Sequence, residues 1–331
     1  MRIGGRMMMA SGGSRARAVA LDLGGTRFRV AMASYDGVIE WRVSRPTLAE
    51  RGPHAVLDDI YQAVMEALAS VPNRGTVKGI AIGAPGPLDP WNGVIHEPPN
   101  LPGWEGVPLK SLFEAKFALP TLVANDANLA ALGEHRYGAG RGFSDVIYVT
   151  VSTGVGGGII VNNQLLLGHG GFAGEIGHMV IDMHGPVCGC GRTGCLEAFS
   201  SGTAIARRAR EMVASGMETA LRRWAPSELT ARGVVELAYQ GDAVAEGILR
   251  DAAVALGVGM VNLAHLFNPQ RIIVGGGVSN AGPILWETMR ETVRERALAS
   301  AQRDLEIVPV GLEDDAGLLG GIAMVAGKPH P

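Results

Sequence analysis

The sequence predicts an α/β protein made of two similar halves that face a cleft. Two short apolar segments, Arg17–Leu23 and Asp145–Val151, have the composition of buried strands, and each runs into a turn of small residues. Each turn is followed by further strands and then by helices that alternate with strands. The chain therefore contains the same α/β unit twice. Glycine supplies 48 of 331 residues without a Gly-X-Y period, which places the excess in loops.

In the first half, runs that alternate or are wholly apolar predict strands, and apolar residues at helical spacing predict helices. Val56, Ile60, Val64 and Leu68 repeat every four residues and so mark one face of a helix. The predicted strands are Arg17–Leu23, Arg27–Ser34, Val38–Ser44, Val77–Gly83 and Thr121–Ala124. The predicted helices are Pro53–Ser70, Leu109–Phe117 and Asp126–Tyr137, with Pro- and Gly-rich loops from Ala84 to Trp104.

The second half reads in the same way. Its predicted strands are Asp145–Val151, Gly157–Asn162, Gln164–Leu167, Arg271–Val274 and Glu306–Val310, and its predicted helices are Gly202–Ala214, Thr230–Tyr239, Ala243–Phe267, Pro283–Leu298 and Ala316–Ala326. We therefore expect a flexible tail over residues 1–17, an N-terminal domain over 18–124 and a C-terminal domain over 125–315. We expect the C-terminal segment 316–331, which contains the last helix, to complete the N-terminal domain.

Charge and hydropathy exclude several classes of protein. With 29 basic and 32 acidic residues the net charge is −3, which gives no electrostatic reason to bind nucleic acid or an anionic membrane. The sequence contains no apolar stretch of 18 or more residues, the length needed to span a bilayer, and residues 1–17 lack the apolar core of a signal peptide. We expect a cytoplasmic protein.

Three glycine turns directly follow predicted strands: Gly24-Gly25-Thr26, Thr153–Gly158 and Gly275–Gly277. In open α/β sheets, ligands bind at the carboxyl ends of strands, where the N–H groups of small residues can cradle phosphate oxygens. One such turn could be hairpin geometry alone, but three in this order favour a phosphate site. There is no P-loop, and the Gly-x-Gly-x-x-Gly at Gly189 follows no strand, which excludes it as a dinucleotide-binding signal.

These turns carry a resemblance to a known family. Leu21-Asp22-Leu23-Gly24-Gly25-Thr26 resembles the first phosphate loop of the sugar kinase/actin/Hsp70 ATPases, and within that superfamily the chain resembles the ROK family (repressors, open reading frames, kinases) from about Val19 to Met324. The resemblance implies the actin-like ATPase (ribonuclease H-like) fold with ATP between the halves. The residues it implies for ATP are Gly24, Gly25, Thr26, Thr153, Gly154, Gly276 and Gly277, with Asp22 acting on Mg²⁺.

All three cysteines of the chain lie within eight residues. Together with His178, the residues Cys188, Cys190 and Cys195 make a closed four-ligand set typical of structural zinc. An odd number of clustered thiols does not suit a secreted disulfide framework. We expect a zinc-binding insert over about 178–197, and the ROK zinc signature has the same pattern.

The sequence Asn125-Asp126 falls where a predicted strand ends and a helix begins. It could be a simple helix cap, but the end of a strand also points into the cleft. The ROK pattern makes Asp126 the base that deprotonates a sugar hydroxyl. By the same resemblance, the sugar ligands are Gly86, Asn100, Asn125, Asp126, Glu175, His178 and Glu197. Glu175 and His178 are three residues apart and would share a face if their segment were helical.

The resemblance implies an ATP-dependent kinase that phosphorylates a hexose at the 6-hydroxyl. Asn100-Leu101-Pro102-Gly103-Trp104 resembles the corresponding loop of ROK glucokinases, which favours glucose. N-acetylmannosamine, N-acetylglucosamine and fructose remain alternative acceptors, and polyphosphate an alternative donor. A ROK sugar-sensing repressor is a further alternative, but only 21 residues precede Asp22, too few for its DNA-binding domain. We expect a homodimer or homotetramer.

Overall fold

The computed structural model describes residues 15–98 and 100–327. Its strands are β1 (Arg17–Leu23), β2 (Arg27–Ser34), β3 (Ile39–Pro46), β4 (Val77–Ala84), β5 (Leu88–Asp89), β6 (Val94–Ile95), β7 (Val107–Pro108), β8 (Thr121–Asn125), β9 (Val146–Val151), β10 (Val155–Val161), β11 (Gln164–Leu165), β12 (Arg271–Gly275) and β13 (Glu306–Pro309). Its helices are α1 (Gly52–Ala69), α2 (Leu109–Phe117), α3 (Asp126–Tyr137), α4 (Glu197–Ser200), α5 (Gly202–Ala214), α6 (Ala231–Tyr239), α7 (Ala243–Phe267), α8 (Pro283–Arg296), α9 (Ala299–Gln302) and α10 (Ala316–Ala326).

The two halves contain five-stranded sheets with the same topology. The strand order is β3-β2-β1-β4-β8 in the first and β11-β10-β9-β12-β13 in the second. In each sheet the first three strands form an antiparallel meander, and the remaining two run parallel to the first strand. The predicted α/β fold with a repeated unit is therefore confirmed at the level of strand order and direction.

Helices α3 and α10 cross between the sheets. Helix α10 packs on β1 and β4, and α3 packs on β9 and β10 as well as on α10. Two glycines allow this close crossing: a Cβ on Gly320 would lie 1.7 Å from the carbonyl oxygen of Leu129, and a Cβ on Gly133 would lie 2.1 Å from that of Ala316. Since α3 begins at Asp126, this crossing fixes the position of that residue.

Most predicted elements lie within two residues of the observed bounds, with three instructive differences. Strand β10 begins at Val155 and not at the predicted Gly157, so the glycine turn predicted over Thr153–Gly158 is only Ser152–Gly154. The region predicted as loops contains the small antiparallel sheet β5-β6-β7, whose two-residue strands are too short to give a sequence period. The Glu175–His178 segment is a single 3₁₀ turn over Ile176–His178, which is shorter than a helix.

Some predictions concern the ends of the chain. Most of the predicted tail, 1–17, lies outside the described residues, and Arg17 already belongs to β1. The last helix ends at Ala326, and residues 328–331 lie outside the described part. The domain bounds 18–124 and 125–315 stay a prediction. Among the helices of the described residues, none combines the length and apolar character needed to cross a membrane.

Candidate active site

The turn after β1 brings Asp22 and Arg29 together at the carboxyl end of the first sheet. Asp22 accepts hydrogen bonds from Arg29, with 2.9 Å between Oδ2 and Nε. Arg29 also donates from Nη1 to the carbonyl oxygen of Asp314 at 2.6 Å. The turn itself is closed by a bond from the Gly24 N–H to the carbonyl oxygen of Arg27 at 3.0 Å. Arg29 is therefore a cation at the predicted phosphate site.

The corresponding turn after β9, Ser152–Gly154, is stabilised by hydrogen bonds from residues at the start of α5. The N–H of Gly202 donates to the carbonyl oxygen of Ser152 at 2.7 Å, and the hydroxyl of Thr203 donates to that of Thr153 at 2.8 Å. Gly276, after β12, has φ of +85°, and a Cβ there would lie 2.4 Å from the carbonyl oxygen of Val151. Only glycine fits this position, which brings the third turn against the second.

Two cavities lie along these turns. One, of about 780 Å³, is lined by Asp22, Arg29, Asp126, Ser152, Gly276, Gly277 and Asn280 among others. The other, of about 830 Å³, shares Ser152, Gly277 and Asn280 with the first and continues along α5 and α6. Apolar side chains such as Val235 and Val278 line the second cavity. A polar chamber beside a more apolar one suits the phosphates and the base of a nucleotide.

Asp126 is the first residue of α3, and Asn125 caps the helix by accepting a 2.9 Å hydrogen bond from the N–H of Ala127. The carboxylate of Asp126 accepts from the same N–H at 2.7 Å. Although the side chain is exposed to the cleft, the surrounding walls desolvate it and raise its pKa to about 6, and the charges of Asp22 and Glu175 act in the same direction. A carboxyl with this pKa is ionised near neutral pH and is still basic enough to accept a proton.

A third cavity, of about 410 Å³, adjoins Asp126. Four predicted sugar ligands line it: Asn125, Asp126, Glu175 and Glu197. Gly86 lies beside it, since a Cβ there would lie 3.4 Å from Nδ2 of Asn125. The backbone of Asn100 instead lies against Gly25, at the first turn. His178 is outside the lining of this cavity.

The loop around Asn100 is anchored by apolar packing. Leu101 and Trp104 are completely buried in the core of the first half, whereas Asn100 is exposed. Gly25 has no room for a side chain, because a Cβ would lie 2.5 Å from the carbonyl oxygen of Asn100. The loop and the first turn thus share one surface of the cleft.

The Cys/His cluster fits a tetrahedral zinc ion. The four ligand atoms of His178, Cys188, Cys190 and Cys195 lie within 4.8 Å of one another. The sulfurs of Cys190 and Cys195 are 3.8 Å apart, and Cys188 Sγ is 3.9 Å from Nδ1 of His178. Zinc bonds of about 2.0–2.3 Å in a tetrahedron separate the ligand atoms by about 3.5–3.8 Å, so the residues present suit the ion.

Two features of the site escaped the sequence analysis. Arg29 lies seven residues after Asp22, and strand register brings it back beside that carboxylate, since Asp22 and Arg29 are direct partners in the β1–β2 pair. Glu197 was predicted only as a sugar ligand, but its carboxylate also accepts a hydrogen bond from the N–H of Val155 at 2.9 Å. The hairpin pattern could have revealed the first contact, whereas the second is a tertiary contact without a local signal.

The chain is similar to several known proteins over most of its length. The model of the ROK family matches residues 18–328. A glucokinase of Thermotoga maritima is 37% identical over 310 residues, which cover 93% of this chain and 96% of that protein. The ROK hexokinase of Thermus thermophilus superposes with a TM-score of 0.79 at 35% identity, covering 93% and 97% of the two chains. A ROK family glucokinase of Streptomyces griseus, solved with glucose and AMPPNP, superposes with a TM-score of 0.77 at 33% identity, covering 93% and 99%.

Proposed function

The chain belongs to the ROK family, and on that premise we propose that it is a kinase that transfers the γ-phosphoryl group of ATP to the 6-hydroxyl of a hexose, with glucose as the preferred acceptor. One observation carries the proposal. Asp126 lines both the 780 Å³ cavity of the glycine turns and the 410 Å³ cavity of the predicted sugar ligands. A base at the junction of a nucleotide chamber and a sugar chamber is what phosphoryl transfer to a hydroxyl requires.

In this mechanism the protein contributes positioning, charge and one proton acceptor. Asn125, Glu175 and Glu197 line the sugar cavity and hold hydroxyls of the hexose. Gly86, Asn100 and His178 lie outside its lining and stay predicted sugar ligands. Asp126 takes the proton of the sugar 6-hydroxyl while the oxygen of that hydroxyl attacks the γ-phosphorus and ADP leaves. The phosphates lie along Gly24–Thr26 and Thr153–Gly154, and the adenosine lies by Gly276 and Gly277.

Two metal ions, Mg²⁺ and a structural zinc ion, belong to the proposal. Asp22 would hold Mg²⁺, directly or through water, and this ion supplies neutralisation of phosphate charge. Arg29 pairs with Asp22 and so limits the repulsion between that carboxylate and Asp126. His178, Cys188, Cys190 and Cys195 would hold a structural zinc ion that keeps the insert folded. Nδ1 is the ring nitrogen of His178 that faces the cluster, which leaves Nε2 free for another partner.

A panel of acceptors tests the choice of sugar. We expect the highest kcat/KM with glucose, because the loop Asn100–Trp104 resembles that of ROK glucokinases and an acetamido sugar needs added room at C2. The measurement is a coupled assay of ADP formation with glucose, fructose, N-acetylglucosamine and N-acetylmannosamine, and with polyphosphate as an alternative donor. A tenfold preference for N-acetylmannosamine, about 1.4 kcal/mol at the transition state, would show that glucose is not the preferred acceptor. The proposal that the protein is a sugar kinase would still stand.

A sugar-sensing regulator is the alternative from another class. Such a protein needs sugar binding but no base, whereas here Asp126 is accessible from the cleft with a pKa suited to proton transfer. Turnover in the acceptor panel separates the two functions. The homodimer or homotetramer expected from the resemblance stays a prediction.

A further inference from the structure

The carboxylate of Glu197 lies between the Cys/His cluster and the turn proposed to bind phosphate. Its Oε2 accepts from the N–H of Val155, directly after Gly154, at 2.9 Å. Its Oε1 lies 3.5 Å from Sγ of Cys188. Glu197 is also only two residues after Cys195 and begins α4. The cluster therefore places this carboxylate, and the carboxylate in turn contacts the backbone at the end of the turn.

The segment that follows Glu197 completes the support of the turn. Gly202 and Thr203 bond the carbonyl oxygens of Ser152 and Thr153 at 2.7 and 2.8 Å. Gly154 leaves space for the carboxylate, because a Cβ there would lie 2.4 Å from Oε2 of Glu197. Four hydrogen bonds between residues 197–203 and residues 152–155 thus define the backbone of the turn.

The negative charge of Glu197 argues against direct contact with the phosphates. A carboxylate repels phosphate oxygens, so it would weaken nucleotide binding if it faced the phosphates. Here Oε2 is engaged by a backbone N–H, a charge-assisted hydrogen bond that is stronger than one between neutral groups. Its contribution to nucleotide binding is therefore indirect, through the shape of the turn.

We propose that Glu197 is a positioning residue for the nucleotide: it fixes the N–H of Val155, holds the Ser152–Gly154 turn in its phosphate-binding shape, and links that turn to the sugar cavity and the Cys/His cluster. This inference rests on the proposed function, since it takes the turn to bind phosphate. Because Glu197 also lines the 410 Å³ cavity, one side chain serves both substrates. Coupling of this kind is reciprocal, so sugar and nucleotide influence each other's affinity by the same factor.

Glu175 provides a matched control. It lines the same cavity and is likewise a predicted sugar ligand. Among the described residues, its hydrogen bonds include none to Ser152–Gly154 or Val155; its carbonyl oxygen accepts from the N–H of His178. Loss of the Glu175 carboxylate should therefore alter sugar binding and leave the nucleotide turn intact.

The experiment is calorimetric titration of the full-length protein with Mg·ADP in the absence of sugar. Relative to wild type, we expect E197A to raise the Kd for ADP at least about tenfold, the equivalent of 1.4 kcal/mol. E197Q should show a smaller loss, about threefold, because its amide oxygen still accepts a hydrogen bond but lacks the charge. E175Q should stay within about twofold. Zinc content and the melting temperature are measured for each variant.

Each outcome decides the question. ADP affinity in E197A equal to wild type, with the variant folded, overturns the positioning role. If E197A loses zinc or fails to fold, E197Q decides: a loss of affinity larger than that of E175Q supports the role, and equal affinities overturn it. If the wild-type protein binds no ADP, the proposed function itself is wrong. That result is distinct from one in which wild type and E197A bind ADP with equal affinity, which contradicts only the role of Glu197.

Discussion

Replacing Asp126 by asparagine is expected to lower kcat by at least about 10², because the amide cannot accept the proton of the attacking hydroxyl. The substitution keeps the shape of the side chain and an oxygen that accepts from the Ala127 N–H, a bond of 2.7 Å in the wild type. Folding and nucleotide binding should be retained. The measurement is steady-state kinetics with glucose and ATP, compared with Asp304→Asn, an exposed carboxylate in a turn outside the three cavities.

The pH dependence gives an independent check on Asp126. Its pKa is raised to about 6, so kcat/KM should fall about tenfold per unit below that pH and level off above it. The raised pKa also means that ionisation of Asp126 opposes folding. The stability this group contributes is present below its ordinary pKa of about 3.9 and is lost as the pH rises through 6. At pH 8 Asp126→Asn should thus melt no lower than wild type. Turnover near the wild-type value in this variant would remove Asp126 from the mechanism.

Loss of the metal site is the second large effect we expect. Cys190→Ser should abolish binding of about one zinc ion per chain and raise the KM for glucose at least about tenfold. Cys190 is exposed, so its replacement removes a ligand without opening a cavity in the protein core. Cys188, Cys195 and Ala198 form a small apolar cluster separate from the two main cores, and the overall fold should therefore survive. Elemental analysis and kinetics of the purified variant provide the measurements.

The matched control for the metal site is Met183→Ala, which removes a side chain that is 74% exposed in the same insert and offers no ligand. It should retain zinc and its affinity for glucose. Wild-type protein that was never exposed to a chelator and contains far less than one equivalent of zinc would contradict the site. A zinc-free Cys190→Ser variant with unchanged glucose KM would show that the metal does not support the sugar cavity. By way of Glu197, the same variant should also bind ADP more weakly.

The sequence carries most of the fold because its signals are local. The bounds of β1, β2, α2, α3, α5, α7 and α10 agree with the predicted ones, since apolar periodicity and turn residues mark both ends of each element. The Cys/His cluster is equally local, because three of its ligands lie within eight residues and any folded insert brings them near one another. The strands β5, β6 and β7 have two residues each, and nothing in such short segments distinguishes strand from loop.

The site was less predictable where it depends on contacts between distant segments. The bond from Val155 to Glu197 spans 42 positions, and no spacing in the sequence announces it. The glycine turn was predicted to run to Gly158, but pairing with β9 begins at Val155 and leaves a turn of three residues. The pKa of Asp126 likewise depends on the walls of the folded cleft and on Asp22, which precedes it by 104 positions.

The most direct test of the proposed reaction is ³¹P NMR of the purified wild-type protein incubated with ATP and Mg²⁺, with and without glucose. We expect glucose 6-phosphate and ADP to form in a one-to-one ratio, and ATP to remain nearly intact when glucose is absent. Formation of ADP at the same rate without glucose, or the absence of any phosphorylated sugar, would contradict the central claim that Asp126 joins a nucleotide chamber to a hexose chamber.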